Sequence, residues 1–296
     1  MGRRSHEPRG SGAASLKREA AVVLAGLEQG DDGIYSAAVS VAPDQADEVR
    51  EREAVARREF SDLILEVSRH HSIRVMAQEV RRFLRRIPVD GVVADIGGGW
   101  GWPWRRLDVE RPDVCIIVVD LVRENLRLAE RILGPLVNER VFLVHGDATT
   151  LPFPSAVFDG YWSVQALQHI PRFDQAVQEA HRVLRPRGEF ACYSLNRAML
   201  IEAVYRVMGK PYHVHGKRSG SFHLARASAE QESVVSRVFG SRVRNRYTEV
   251  LFHPDLRLHT GAEGSRVGAL DSLVSGSAPV LSWVARQRSY HARKAS

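Results

Sequence analysis

Three aspartates close apolar runs in this chain, and a glycine turn follows the first of them. Residues 92–101 read Val-Val-Ala-Asp-Ile-Gly-Gly-Gly-Trp-Gly, residues 114–120 read Val-Cys-Ile-Ile-Val-Val-Asp, and residues 141–148 read Val-Phe-Leu-Val-His-Gly-Asp-Ala. Short runs of β-branched residues are the mark of buried strands. Positions without a Cβ, such as Gly97, Gly99 and Gly101, let main-chain N–H groups close on a ligand. Asp95, Asp120 and Asp147 then fall at the carboxyl edge of one parallel sheet, where open α/β folds bind ligands, and an acid after the second strand suits a ribose diol. The turn is spaced G-x-G-x-G. A dinucleotide-binding turn requires G-x-G-x-x-G, and position 102 is Trp, so NAD and FAD are disfavoured.

The elements that must hold these residues follow from periodicity. Phe60, Leu63, Ile64 and Val67 recur at helical spacing, as do Ile73, Met76, Val80, Phe83, Leu84 and Ile87, which predicts two amphipathic helices ahead of the first strand. An earlier helix is expected over about 17–29, ended by Gly30-Asp-Asp-Gly33, with Tyr35 in a loop able to fold over a ligand. A fourth strand runs through Gly160-Tyr-Trp-Ser163, a helix over 173–184, and a fifth strand over 189–195. Beyond it come a helix over 197–208, a loop to 227, a helix over 228–239, a strand over 243–251, a helix over 264–286 broken near Pro279, and a last strand over 288–294. The expected fold is α/β: a Rossmann-like, doubly wound seven-stranded sheet with helices on both faces and an N-terminal helical extension. Its expected divisions are a disordered tail at 1–18, a helical extension or lid at 19–88, and a main domain at 89–296 with a substrate-side insertion at about 197–260.

Across about residues 72–196 the chain resembles the class I S-adenosylmethionine-dependent methyltransferases, in particular the small-molecule branch related to the ubiquinone-biosynthesis enzymes. The residues that carry the resemblance are Asp95-Ile-Gly-Gly-Gly-Trp-Gly101, Asp120, Gly146-Asp-Ala148 with Leu151-Pro-Phe153, Phe158-Asp159, Gln168-His-Ile170 and Arg182-Val-Leu-Arg-Pro-Arg-Gly188. The resemblance implies S-adenosylmethionine as cofactor. Asp95 and the turn of Gly97, Gly98, Gly99 and Gly101 would pack against its methionine part and ribose, and Asp120 would take the ribose hydroxyls. Leu121 would lie on adenine, Asp147 and Ala148 would bond the adenine edge, and Ser163 would sit near the methionine amino group. His169 follows the fourth strand, where the family places residues facing the acceptor. The helix after the turn begins Trp102-Pro-Trp104, bulkier than the family's usual residues there.

The 296 residues are 44% hydrophobic with net charge +7, enough to bury the core of one α/β domain. No apolar run is long enough to span a membrane, and a cytoplasmic protein is expected. Residues 196–296 hold 16 Lys and Arg against 7 Asp and Glu. That basic third is compatible with an anionic acceptor, or with nothing beyond an arginine-rich scaffold. Cys115 and Cys192 lie in expected strands and read as small buried hydrophobes. His213, His215 and His223 lack the spacing and the neighbouring acids of a metal site, so no metal is expected. His169, then His213 and His215, are the candidate bases, and residues 197–260 with the loop around Tyr35 are the expected acceptor pocket. The acceptor class is a small molecule, quinone-, lipid- or natural-product-like and possibly anionic. The alternatives are an RNA methyltransferase and a non-catalytic cofactor-binding module. Against base-amino methylation, Ser163-Val-Gln-Ala166 stands where an Asn-Pro-Pro-Tyr motif would be needed.

Overall fold

The structure is a computed structural model that describes residues 10–36, 43, 45–57, 62–210, 212, 228–256 and 261–296. Its strands are β1 (Glu28–Gln29), β2 (Tyr35–Ser36), β3 (Val92–Ile96), β4 (Cys115–Asp120), β5 (Val141–His145), β6 (Phe158–Val164), β7 (Leu184–Leu195), β8 (Arg244–Thr248) and β9 (Gln287–Arg293). They form one sheet in the order β1-β2-β5-β4-β3-β6-β7-β9-β8. From β5 to β7 all neighbours are parallel, and β9 enters antiparallel between β7 and β8. The order reverses beside β3, which creates the crevice at the carboxyl ends of β3 and β4. Seven of these strands are the expected ones. The two additional pairs of residues, β1 and β2, form a hairpin that adds to the edge of β5.

Alternation along the strands supplies both faces. Cys115, Ile117 and Val119 of β4 pack in a core with Leu16, Ala20, Phe173, Val177, Val235 and Phe239. Ile116 and Val118 pack in a second core with Met76, Val80, Phe83, Leu126 and Leu133. Successive side chains of a strand point to opposite faces, so one apolar run feeds both layers. The helices Gly10–Leu24, Phe173–Val183 and Ser228–Phe239 cover one face, and Ile73–Leu84 and Arg123–Leu133 cover the other.

Several motif residues are scaffolding. Arg182 binds the carbonyls of Leu151 and Phe153 and pairs with Glu179, whose carboxylate accepts from the Leu151 N–H at 2.8 Å. Asp159 accepts from the Val92 N–H at 2.9 Å and pairs with Arg185 at the amino edge of the sheet. Gln168 Oε1 accepts from the Leu195 N–H at 2.6 Å, which fixes the loop after β6 to the end of β7.

Two expectations at the N-terminus are corrected. The first helix starts at Gly10 rather than near 17; Leu16, Ala20, Val23 and Leu24 share one face and are buried, so residues 10–18 are not all tail. Tyr35 is no lid residue. It lies in β2 opposite Val144 and meets Phe142 edge-on at 6.3 Å, while Asp32 and Ser36 are held by Arg123. Ladder bonds available at the edge of β5 outweigh the loop tendency of the Gly-Asp-Asp-Gly segment.

Candidate active site

The glycine turn is built on backbone conformations that side chains disfavour. Gly97 has φ +64° and a Cβ there would lie 2.2 Å from the Ala166 Cβ. Its N–H donates to the Val119 carbonyl at 2.7 Å, which draws the turn over the end of β4. Gly99, at φ +54°, has nothing within 4 Å of its Cβ position, because that position faces the open crevice. Gly101 packs behind the turn instead, against Leu133, and does not line the crevice.

Acids gather beside this turn. Asp120 accepts from the N–H groups of Gly99 at 2.9 Å and Val122 at 2.8 Å and from Asn125 Nδ2 at 3.2 Å. Burial nonetheless holds its carboxyl above the usual range, against those three donors. Asp95, also buried, is pushed up to about 7, chiefly by burial; the bond from Trp104 Nε1 at 2.6 Å opposes the shift, and the charge of Asp120 adds to it. Asp147 accepts from the Thr149 N–H at 2.8 Å. Asp95, Gly97, Gly98, Gly99, Asp120, Leu121, Asp147, Ala148 and His169 all line one cavity of about 430 Å³. Two closely spaced buried carboxyls with raised pKa values suit a cationic ligand, whose charge would offset the cost of ionising them.

The cavity continues past the turn into an apolar chamber roofed by the N-terminal helices Ala46–Ala56 and Leu63–His70 and the start of Ile73–Leu84. Asp62 caps the middle one, accepting from the N–H groups of Ile64 and Leu65 at 2.9 and 3.0 Å; such a cap is worth about 0.5–2 kcal/mol. Val67, Met76, Trp102 and Val164 line the chamber, as do His71 and Arg286. Burial, with Arg286 and His70 adding, pushes the His71 imidazole down to about 3, so the ring is neutral. Glu249 lies beneath. It is fully buried at φ +55°, accepts from the Ser72 N–H at 2.8 Å and from Arg286 Nη1 at 2.5 Å, and stands 3.9 Å from His71 Nδ1. Gln165, at φ +51°, and Trp162 complete the wall; Gln165 Nε2, Trp162 Nε1 and His71 Nδ1 are buried polar atoms without a hydrogen-bond partner. Such groups are costly in a fold unless a ligand or solvent meets them.

The described lining of the cavity differs from the acceptor pocket expected from the sequence. Among the described residues of 197–260, none lines the cavity; His213, His215 and His223 lie outside the described residues. Ser163 is fully buried and off the cavity, because Trp162 and Val164, its neighbours on the strand, point to the other face. His169 stands at the rim, its Nε2 2.8 Å from Gln168 Nε2. His71, Trp102, Gln165 and Arg286 escaped sequence reading. His71 follows a helix whose apolar stripe reads as ordinary packing, and Arg286 is one arginine among many.

Residues 94–192 match a protein-family model described as a methyltransferase domain. That match takes about a third of the chain, and the sheet that carries it has the Rossmann-like fold of solved methyltransferases. The putative methyltransferase solved in complex with the Haloferax volcanii Trm112 methyltransferase activator superposes with TM-score 0.55 at 18% identity, over 87% of this chain and 100% of that one. A Thermotoga maritima methyltransferase, described as a possible histamine N-methyltransferase, gives 0.52 at 16%, over 77% and 91%. At these identities the likeness is one of fold. In sequence the chain is similar to the ubiquinone/menaquinone biosynthesis C-methyltransferase of Methylobacterium nodulans, 33% identical over 99 residues, and to the 27-O-demethylrifamycin SV methyltransferase of Amycolatopsis mediterranei, 35% identical over 98. Each match takes 33% of this chain, and it spans 39% and 36% of those relatives.

Proposed function

We propose that the chain binds S-adenosylmethionine in this crevice and transfers its methyl group to a small-molecule acceptor held in the apolar chamber. The observation that carries the reading is Gly99: its Cβ position is open, at a φ that favours glycine, and it lines the same cavity as the strand-end acids. The residues fit such a cofactor. Asp120 and its Gly99 contact would face the ribose, Leu121, Asp147 and Ala148 the adenine, and Asp95 the positively charged methionine end. When bound, the sulfonium supplies an activated methyl group: the acceptor's electron pair forms the new bond to carbon as the carbon–sulfur pair withdraws to sulfur, and a displaced proton leaves the acceptor. Alignment supplies most of the acceleration for such a displacement. His70, His71 and His169 line the cavity; burial makes the His71 imidazole a weak base, which leaves His70 and His169 as candidates to receive that proton.

The basic C-terminal third does not favour a nucleic-acid substrate. Arg246 pairs with Glu79, Arg286 with Glu249, Arg288 with Glu232, and Arg293 and Arg244 flank Glu189. These charges are largely spent within the fold. Among the described residues no helix is long and apolar enough to cross a membrane, and the two cysteines are free and buried, which suits the reducing cytoplasm where we place the reaction. The test is a methyl-labelled cofactor incubated with protein and cell extract, followed by separation into small-molecule, lipid, RNA and protein fractions. Label in the first two is expected; label confined to RNA or protein, or no calorimetric binding of the cofactor, would overturn the reading.

A further inference from the structure

The far wall of the chamber carries a charged group that methyl transfer itself does not require. Along the carboxyl edge of the sheet the strands run β5, β4, β3, β6, β7, β9. Neighbouring strands lie about 4.8 Å apart, so Arg286, immediately before β9, stands about 14 Å from the glycine turn after β3. It stands farther still, about 19 Å, from the strand that carries Asp120. The acids that fit the cofactor occupy one end of the cavity, where Arg52 acts on Asp120, and the Arg286 guanidinium occupies the other.

Arg286 is fixed there. Its side chain is 16% exposed, its guanidinium lies 5.7 Å above the Phe252 ring, and Nη1 is bonded to the buried carboxylate of Glu249. Glu249 also accepts from the Ser72 N–H, which ties the arginine to the helix that roofs the chamber. Glu249 therefore acts as an orienting group. Burying such a pair costs desolvation that apolar side chains would not incur, so a buried pair is weak evidence of a purely stabilising role. A guanidinium has five N–H donors in a planar fork, and only Nη1 is engaged in the bonds described. His71 lies beside it on the same wall, its Nδ1 lacking a hydrogen-bond partner. Val67, Met76 and Trp102 supply apolar surface beside them, while Glu66, His70 and Gln165 are polar members of the same lining.

Building on the methyltransferase reading, we infer that Arg286, oriented by Glu249 and flanked by His71, binds an oxyanion on the acceptor, so that the substrate is an amphipathic carboxylate or phosphate whose apolar body fills the chamber. Fork-shaped recognition of a planar or tetrahedral oxyanion is what arginine provides and lysine does not.

The test uses protein saturated with S-adenosylhomocysteine and three probes of similar size: benzoate, phenyl phosphate and the neutral benzamide. Benzoate or phenyl phosphate should bind at least about tenfold more tightly than benzamide by calorimetry, the scale of a charge-assisted bond, and the tighter of the two names the source of the oxyanion. Arg286→Gln should reduce the favoured anion to the level of benzamide and leave S-adenosylhomocysteine affinity within about twofold. Because that variant leaves Glu249 buried and unpaired, Arg286→Gln combined with Glu249→Gln serves as the folding control and should show the same loss of preference. The inference is overturned if all three probes bind alike or none binds, if the preference survives in the variants, or if the variants weaken S-adenosylhomocysteine instead, which would put Arg286 in the cofactor site. Failure of the wild-type protein to bind S-adenosylhomocysteine at all would instead overturn the reading on which the inference rests.

Discussion

The two ends of the cavity are made in different ways. The cofactor end is assembled from strand termini and turns between Asp95 and His169, with backbone N–H groups and carboxylates as its working parts. The proposed acceptor end combines helix residues near 45–76 with Trp102, Gln165 and Arg286, and its working parts are side chains. One end depends on backbone geometry, which tolerates little change; the other depends on residues that can be exchanged without disturbing the sheet. A single fold can thereby keep one cofactor and vary its acceptor.

Changes at the cofactor end should test this division most severely. Gly99→Val places a branched side chain at φ +54° in the open crevice, and cofactor binding should vanish from calorimetry while the melting transition remains. Retained affinity would mean that the ligand does not pass this point. Asp120→Ala removes an acceptor of three hydrogen bonds, and its loss should weaken cofactor binding by about 1.5–3 kcal/mol, with little change in anion preference at the far end. An equal fall in both would break the comparison.

Titration separates the ends more gently. Asp95 is held at about 7 in the free protein, and a cationic cofactor would favour its ionised form, so cofactor affinity should rise with pH toward 7, by at most about tenfold per unit, and level off above it. Calorimetry between pH 5.5 and pH 8.5, roughly, would follow the rise; a flat profile would detach Asp95 from the cofactor. The smallest effects concern the cofactor-free fold, where the ends should respond with opposite sign. Asp95 has a raised folded pKa, so the folded state keeps a proton that the unfolded chain has lost. Its contribution is full below the ordinary carboxyl value of 3.8 and declines as pH rises toward 7. His71 is held at about 3, so its contribution is full above 6.5 and declines as pH falls toward 3. In denaturant titrations, Asp95→Asn should remove the first slope and His71→Gln the second. Identical pH profiles for the two variants would show that the ends are not electrostatically distinct.

The same division governs what could be read from the sequence. The sheet was legible because β3, β4 and β5 are unbroken apolar runs closed by acids or glycine, and the cofactor end inherits that legibility from strand termini. Trp162, Ser163 and Val164 mark a limit: the strand was evident, yet which alternate residue faces the crevice depends on register with β3 and β7. The acceptor end was not legible. Glu249 meets Ser72 across 177 positions, and no local pattern announces that contact. Tyr35 misled for the same reason, since its strand exists only because β5 offers an edge.

The place of β9 between β7 and β8 bears on how the molecule is made. Translation delivers the strands of the cofactor end before residue 200, and they can pair as they emerge from the ribosome. β8 then appears with no neighbour, and the open flank of β7 stays a bare template for other chains until residues 287–293 arrive to fill the gap. Arg286 leads that strand into position, so the wall that carries it is set after the strands of the cofactor end. A nascent chain can therefore hold a finished cofactor crevice before it has anywhere to seat an acceptor.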